Sequence, residues 1–152
     1  ADETLNIISD LTTQEKEILS NFKYRKNKAV IHSDESSMPK NRKAWCSWNS
    51  SLNPKDNQQS SVTYWLNQLQ NLKIDKNIFL TINPFFNINP DLIYNTIDFT
   101  HPYYDQKALE NQSKLRSIQN INNTLYAGSY FGYGFHEDGI KSSIEMLKTL
   151  ND

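Results

Sequence analysis

Cysteine is almost absent: Cys46 is the only one among 152 residues. No intrachain disulfide is possible, and a multi-thiolate metal site is excluded. Beside Trp45, the lone thiol reads as a small buried residue before it reads as a nucleophile. Glycine is nearly as scarce, with four in the chain, and proline contributes five. No sign of charge dominates, since 16 Lys and Arg meet 17 Asp and Glu for a net charge of −1 and a pI near 6.3. That balance excludes a nucleic-acid binder relying on counterion release and gives no support to a surface that seeks anionic lipid. Long hydrophobic runs are missing too; none approaches the roughly 18 apolar residues of a membrane span. His32, His101 and His136 are scattered without ligand spacing, so no metal is expected.

Against a hydrophobic share of 37% and a mean hydropathy of −0.72 stand 12% aromatic residues. Eighteen Phe, Tyr and Trp (7, 8 and 3) suffice to bury a core that the aliphatic content alone would leave thin. The chain is therefore expected to fold. Asn, Lys and Ile are abundant, which reads as compositional bias, and the Asn49, Asn111 and Asn122 triplets of N-x-S/T form read as its by-products. Beginning at Ala1 without Met, the sequence is expected to be a processed or excised chain, of cytoplasmic origin.

Along the chain, Leu5, Ile8, Leu11, Ile18, Leu19 and Phe22 fall at mostly helical spacing. Thr12, three residues before Glu15, makes a capping box that predicts two short helices rather than one. Strands are predicted at Ala29–His32, at Lys43–Asn49 with alternating faces, from Val62 to Trp65, over Ile78–Ile82 and over Ile93–Phe99 up to His101-Pro102. Ser50 to Ser61 is polar, contains Asn53-Pro54 and reads as a loop. Asp105–Ile118 reads as a polar helix with Ala108, Leu115 and Ile118 inside, Thr124–Ala127 as a last strand, and Gly139 onward as a last helix. The fold class is α+β, a mixed or antiparallel sheet with flanking helices.

All four glycines lie in one window: Gly128, Gly132, Gly134 and Gly139. The apolar Leu125-Tyr126-Ala127 precedes them, and Ile140, Ile144 and Leu147 follow at i, i+4 and i+7, predicting a helix. A strand, a glycine-rich turn and a helix start offer outward N–H donors and a favourable dipole to an anion or a polar heterocycle. A tight connection that needs its glycines only for shape is the plainer alternative. The spacing is neither a dinucleotide-binding fingerprint nor a phosphate loop.

The run Thr124 to Gly139, with its Tyr133-Gly134-Phe135-His136-Glu137-Asp138-Gly139 core, resembles the C-terminal flavin-contacting segment of FAD-dependent amine-oxidase-like oxidoreductases. The nearest resemblance is to bacterial predicted NAD/FAD-binding, flavin-containing amine oxidases. Ala29–Asp34, Met38-Pro39, Ala44–Asn49, Val62–Asn67, Thr81–Pro84 and His101–Asp105 follow the same subgroup in order. The resemblance implies a C-terminal portion of such an enzyme: residues 1–123 as part of the substrate domain, and 124–152 as the last strand, turn and helix of the FAD domain. It implies FAD contacts from Gly128, Ser129, Tyr130, Gly132, Gly134, Phe135, His136, Glu137, Asp138 and Gly139. Ser129 stands where relatives often carry an acid. Many of those enzymes also use a lysine that reaches the flavin through water, and Lys28 is the strand-borne candidate for it here.

For Trp45, Trp48, Tyr64 and Trp65, core packing and the lining of a small-molecule substrate cavity both remain open. Glu137 and Asp138 are explained equally by charge complementarity at a helix start. The functional expectation is an FAD-dependent oxidoreductase whose N-terminal, pyrophosphate-binding portion lies outside this chain, so that the 152 residues alone would be inactive and hold no FAD. A cofactor-free binding module of the same fold is the alternative, with a flavin-dependent desaturase or isomerase of a lipid or isoprenoid as a third reading.

Overall fold

In a computed structural model, residues 1–150 are described. The class is α+β, one open five-stranded antiparallel sheet with helices, as the sequence implied. The elements run α1 (Thr4–Ile7), α2 (Thr13–Leu19), β1 (Lys23–His32), β2 (Trp48–Asn53), β3 (Asp56–Trp65), α3 (Leu66–Leu69), β4 (Phe79–Ile82), β5 (Ile93–Tyr103), α4 (Gln106–Gln112) and α5 (His136–Lys148). The chain divides into two units, one made of residues 1–25 with the chain from His101 onward, the other of residues 26–100.

In the first unit, α2 begins as the capping box requires. The Thr12 hydroxyl accepts from the Glu15 N–H at 3.2 Å, and Glu15 Oε2 accepts from the Thr12 N–H at 2.7 Å. Leu11, Ile18, Leu19 and Phe22 then bury against Ala108, Leu115, Ile118, Tyr126 and Tyr130. Glu15 itself is only 2% exposed, inside this apolar cluster. Its second oxygen accepts from the Tyr126 phenol at 2.7 Å. Burial alone would raise the Glu15 carboxyl, but the hydrogen bonds from Tyr126 and Thr12 outweigh it and hold the carboxyl below its ordinary value.

The second unit carries the sheet, ordered β2-β3-β4-β1-β5. Register puts Ile31 beside Leu80, Leu80 beside Tyr64 and Tyr64 beside Trp48, so one face is apolar. The opposite face holds His32, Thr81, Thr63 and Asn49, all buried, together with the buried Phe79. Polar groups in such a place need partners. His32 Nδ1 accepts from the Asp34 N–H at 3.1 Å, so the ring proton sits on Nε2 and is donated to Thr81 Oγ1 at 2.8 Å. The Thr81 hydroxyl is thereby free to donate to Thr63 Oγ1, 2.9 Å away.

Several local expectations are corrected. Lys43–Asn49 is not a strand: the Asn41 side chain caps a 3₁₀ turn at Arg42–Ala44, Asn49 clamps Cys46 through its N–H and carbonyl, and pairing begins at Trp48. Cys46 is exposed rather than buried. The polar Ser50–Ser61 stretch is no loop but a β2–β3 hairpin, turned at Asn53–Asp56, because ladder bonds need only backbone. β5 runs through His101-Pro102 to Tyr103, which an edge strand tolerates since Pro lacks only an N–H. Asp105 caps α4, which ends at Gln112 and passes into a 3₁₀ segment, Ser113–Ile118.

No strand forms over Thr124–Ala127. The Gln119 side chain takes the place of a strand partner there, accepting from the Tyr126 N–H at 2.9 Å and donating to its carbonyl at 3.0 Å. α5 starts at His136, not Gly139, and its Ile140, Ile144 and Leu147 stripe is exposed.

Two outcomes follow from the buried carboxylate and the buried imidazole. Tyr126→Phe leaves a Glu15 oxygen unpaired and is expected to cost about 1–3 kcal/mol in urea unfolding. The Glu15 contribution is present above its unfolded value of 4.5 and is lost as pH falls through the lowered folded value. Burial, opposed by the Asp34 charge, lowers His32. Stability should therefore fall as pH drops below the ordinary 6.5 of that ring, by at most about 1.4 kcal/mol per pH unit. Urea midpoints at pH 7.5 and 5.5 (roughly one unit either side of that value) check this; His32→Gln should remove the difference between them.

Candidate functional site

The glycine window folds as a hooked turn inside the first unit. Gly128 opens it at φ +153°, a 3₁₀ turn spans Ser129–Phe131, and Gly134, at φ +93°, aims the chain into α5. The Ser129 carbonyl accepts from the Gly132 and Gly134 N–H groups, each at 3.1 Å. Gln112 reaches over from α4 and donates to the Tyr130 and Gly132 carbonyls, while the Ser142 hydroxyl of α5 accepts from the Gly128 N–H at 2.9 Å.

Asp138 is the anion of this site. Its Oδ2 accepts from the N–H groups of Tyr133 and Phe135, both at 3.0 Å, closing the turn on the start of α5. Phe135, the residue before the helix, has no side-chain acceptor, so this is half of a capping box. Among the described residues, the N–H groups of His136 and Glu137 find no acceptor in the chain. They point out from the first turn of a 13-residue helix, beside the exposed rings of Tyr133 and Phe135.

The space around the glycines decides what they are for. A Cβ on Gly128 would stand 2.6 Å from the Tyr130 ring, one on Gly132 would overlap the Asp138 carboxylate, and one on Gly134 would lie 3.0 Å from the Tyr104 phenol oxygen. These three are required by side chains of the chain itself. Gly139 is different, with its nearest atom, Ser129 N, at 3.8 Å.

The sequence-derived residues thus separate. Tyr130 is buried, edge-on to Phe22 at 5.3 Å, and burial raises its phenol above the ordinary range. Gly128, Ser129, Gly132 and Gly134 shape the turn; Phe135, His136 and Glu137 are exposed, and Glu137 pairs with Lys141 at 3.7 Å. Beside α5 an open cleft of about 1050 Å³ includes Gln112, Arg116, Phe131, Met146 and Lys148 in its lining. The braces Gln112 and Gln119 and the lid Tyr104 were missed, because no spacing in the sequence marks which amide will reach a distant carbonyl.

The aromatic candidates lie in the second unit, on opposite sheet faces. Trp48 meets Tyr64 edge-on at 5.3 Å on the apolar face, and Trp45 meets Trp65 at 5.3 Å and Phe79 at 5.7 Å on the other. Arg42 sits 4.7 Å above the Trp45 ring. Lys28 is exposed on β1, its N–H bonded to Asn83 Oδ1 at 2.9 Å, by a depression of about 520 Å³ that Asp98 and Phe99 also line.

A flavin asks for donors at its polar edge and for close approach. The His136 and Glu137 donors and the flanking rings fit the polar edge, while the space at the glycines is already filled from within. No family model matches the chain, and no curated protein matches it in sequence.

The two kinds of glycine predict opposite outcomes on substitution. Gly134→Val, at positive φ and against Tyr104, should destabilise by about 1–3 kcal/mol. Gly139→Ala, within α5 and unobstructed, should stabilise by about 0.5–1 kcal/mol. Thermal or urea unfolding of the two variants beside the parent chain measures both.

Proposed function

We propose that this chain is the C-terminal portion of an FAD-dependent oxidoreductase of the amine-oxidase-like type, acting on a small-molecule substrate in the cytoplasm. The observation that carries the reading is the start of α5, where His136 and Glu137 present unpaired N–H groups next to the exposed residues Tyr133 and Phe135. Donors at a helix start favour negative charge at the group they face. When bound, FAD would supply hydride acceptance. The chain's own part is positional. Asp138 and Gln112 hold the turn rigid, Gly134 aims it, and Tyr133 with Phe135 would exclude water from the side of the ring. The pyrophosphate half of the cofactor would be held by the N-terminal portion, so the isolated chain is expected to be inactive and colourless.

A cofactor-free binding module is favoured by a separate observation: Tyr130, Asp138 and Tyr104 fill the space at three glycines, which accounts for the turn without a ligand. A flavin-dependent desaturase or isomerase of a lipid or isoprenoid takes its support from the exposed Trp48 and Leu52 on the apolar sheet face. The visible absorbance spectrum of the whole gene product, beside that of this chain, separates the first two. Flavin bands in the whole protein and none in the chain are expected. Their absence from both after incubation with FAD overturns the oxidoreductase reading and leaves the binding module.

A further inference from the structure

α5 is built inside out. The residue it buries is polar: the Ser142 hydroxyl accepts from the Gly128 N–H at 2.9 Å and donates to the Gly139 carbonyl at 2.8 Å. Its apolar residues turn the other way, and Ile140, Ile144, Leu147 and, just past the helix, Leu150 are each more than half exposed. A surface helix ordinarily turns such a stripe inward, and a contiguous exposed one marks an interaction surface. Charges line one side of it. Glu137, Lys141 and Lys148 fall at i, i+4 and i+11, one row along the helix, and all three are exposed. The ion pairs they make, Glu137 with Lys141 at 3.7 Å and Lys148 with Glu145, lie within the helix and leave most of each side chain in solvent.

The order of these charges decides what the stripe fits. The acid stands at the N-terminal end and a base at the C-terminal end, about 16 Å apart along the axis. The midpoint of Glu137 and Lys148 and the midpoint of Ile140 and Leu147 fall within one residue of each other, beside Ser143. A second α5 reversed about that point meets Ile140 with its Leu147, Ile144 with its own image, and Glu137 with its Lys148, twice over by symmetry. Parallel copies would instead set Glu137 against Glu137 and Lys148 against Lys148, a like-charge arrangement that is disfavoured. Opposed helix dipoles favour the same antiparallel pairing. We propose that the exposed stripe of α5 is a homodimer interface, occupied by the same stripe of a second copy of this chain running antiparallel about a two-fold axis near Ser143. The apolar side chains supply the attraction and the charged row sets the direction. A seam of one short helix is small, so the dimer is a transient one in the micromolar range.

Sedimentation velocity of the intact chain across that range is expected to show the mass rising from monomer towards dimer. Ile144→Asp, an exposed change that should leave the circular dichroism spectrum intact, is expected to hold the chain monomeric throughout. Lys148→Glu should weaken dimerisation several-fold, and adding Glu137→Lys should restore most of it. Direction is read by cysteine in a Cys46→Ser background, which removes the native thiol. Ile144→Cys, beside the axis, is expected to oxidise to a disulfide-linked dimer several-fold faster than Ile140→Cys, whose images lie too far apart to bridge. A chain monomeric at every concentration overturns the proposal, and so does a dimer that Ile144→Asp leaves intact. Equal cross-linking at the two cysteine positions overturns the antiparallel seam. A monomer that binds phosphatidylcholine–phosphatidylserine vesicles, and loses them in Ile144→Asp, gives the stripe to a lipid surface and overturns the homodimer.

Discussion

A buried carboxylate closes the first unit. Glu15 is taken from water into an apolar cluster and keeps its charge only because three donors meet it, the Thr12 N–H, the Thr12 hydroxyl and the Tyr126 phenol. The last of these spans 111 positions of the sequence, so one side chain both starts α2 and binds the segment that leads into the glycine-rich turn. An unpaired charge in such a place would cost several kcal/mol (roughly 3–5 when one partner is removed from a buried pair), which is why the cap and the contact must form together. The turn inherits its position from that coupling: Tyr126 is anchored, Gln119 holds its backbone, and Gly128 follows two residues later.

The same device recurs at the start of α5. Asp138 supplies within the chain the anion that a glycine-rich helix start would otherwise draw from a ligand, and the space at Gly132 is the space its carboxylate needs. What remains for a partner is narrower than the sequence pattern implied: two N–H groups at His136 and Glu137, and the rings beside them. Beyond the first turn, α5 buries only Ser142 and shows Ile140, Ile144 and Leu147 to solvent. A short amphipathic helix draws most of its stability from burying its apolar face, and this one is held chiefly by its hydrogen bond from Gly128 and by its own cap.

In the sheet, polarity is reversed relative to simple patterning. The buried face carries imidazole and hydroxyls in a continuous chain from Asp34 through His32 and Thr81 to Thr63, and the more open face is apolar. Hydrogen bonding makes this workable, because the Asp34 N–H, the His32 ring N–H and the Thr81 hydroxyl each meet an acceptor. It also makes the unit responsive to protonation, since a charged His32 could no longer accept from the Asp34 N–H.

Features that depend on neighbours in the chain were legible from residues alone. The Thr12 and Glu15 cap, the break between α1 and α2, the inward positions of Ala108, Leu115 and Ile118, and the α+β class all rest on spacings of a few residues. Those spacings set local dihedrals and one helical face directly. Tertiary structure decided the rest. Gln119 satisfied the backbone of Tyr126 and so made a strand unnecessary, and an edge position let β5 pass through Pro102. Side chains from elsewhere in the fold, Tyr104 and Asp138, filled the space at the glycines. In each case the deciding partner is a group whose approach is set by packing, and hydrophobic periodicity carries no trace of which distant donor will meet which acceptor.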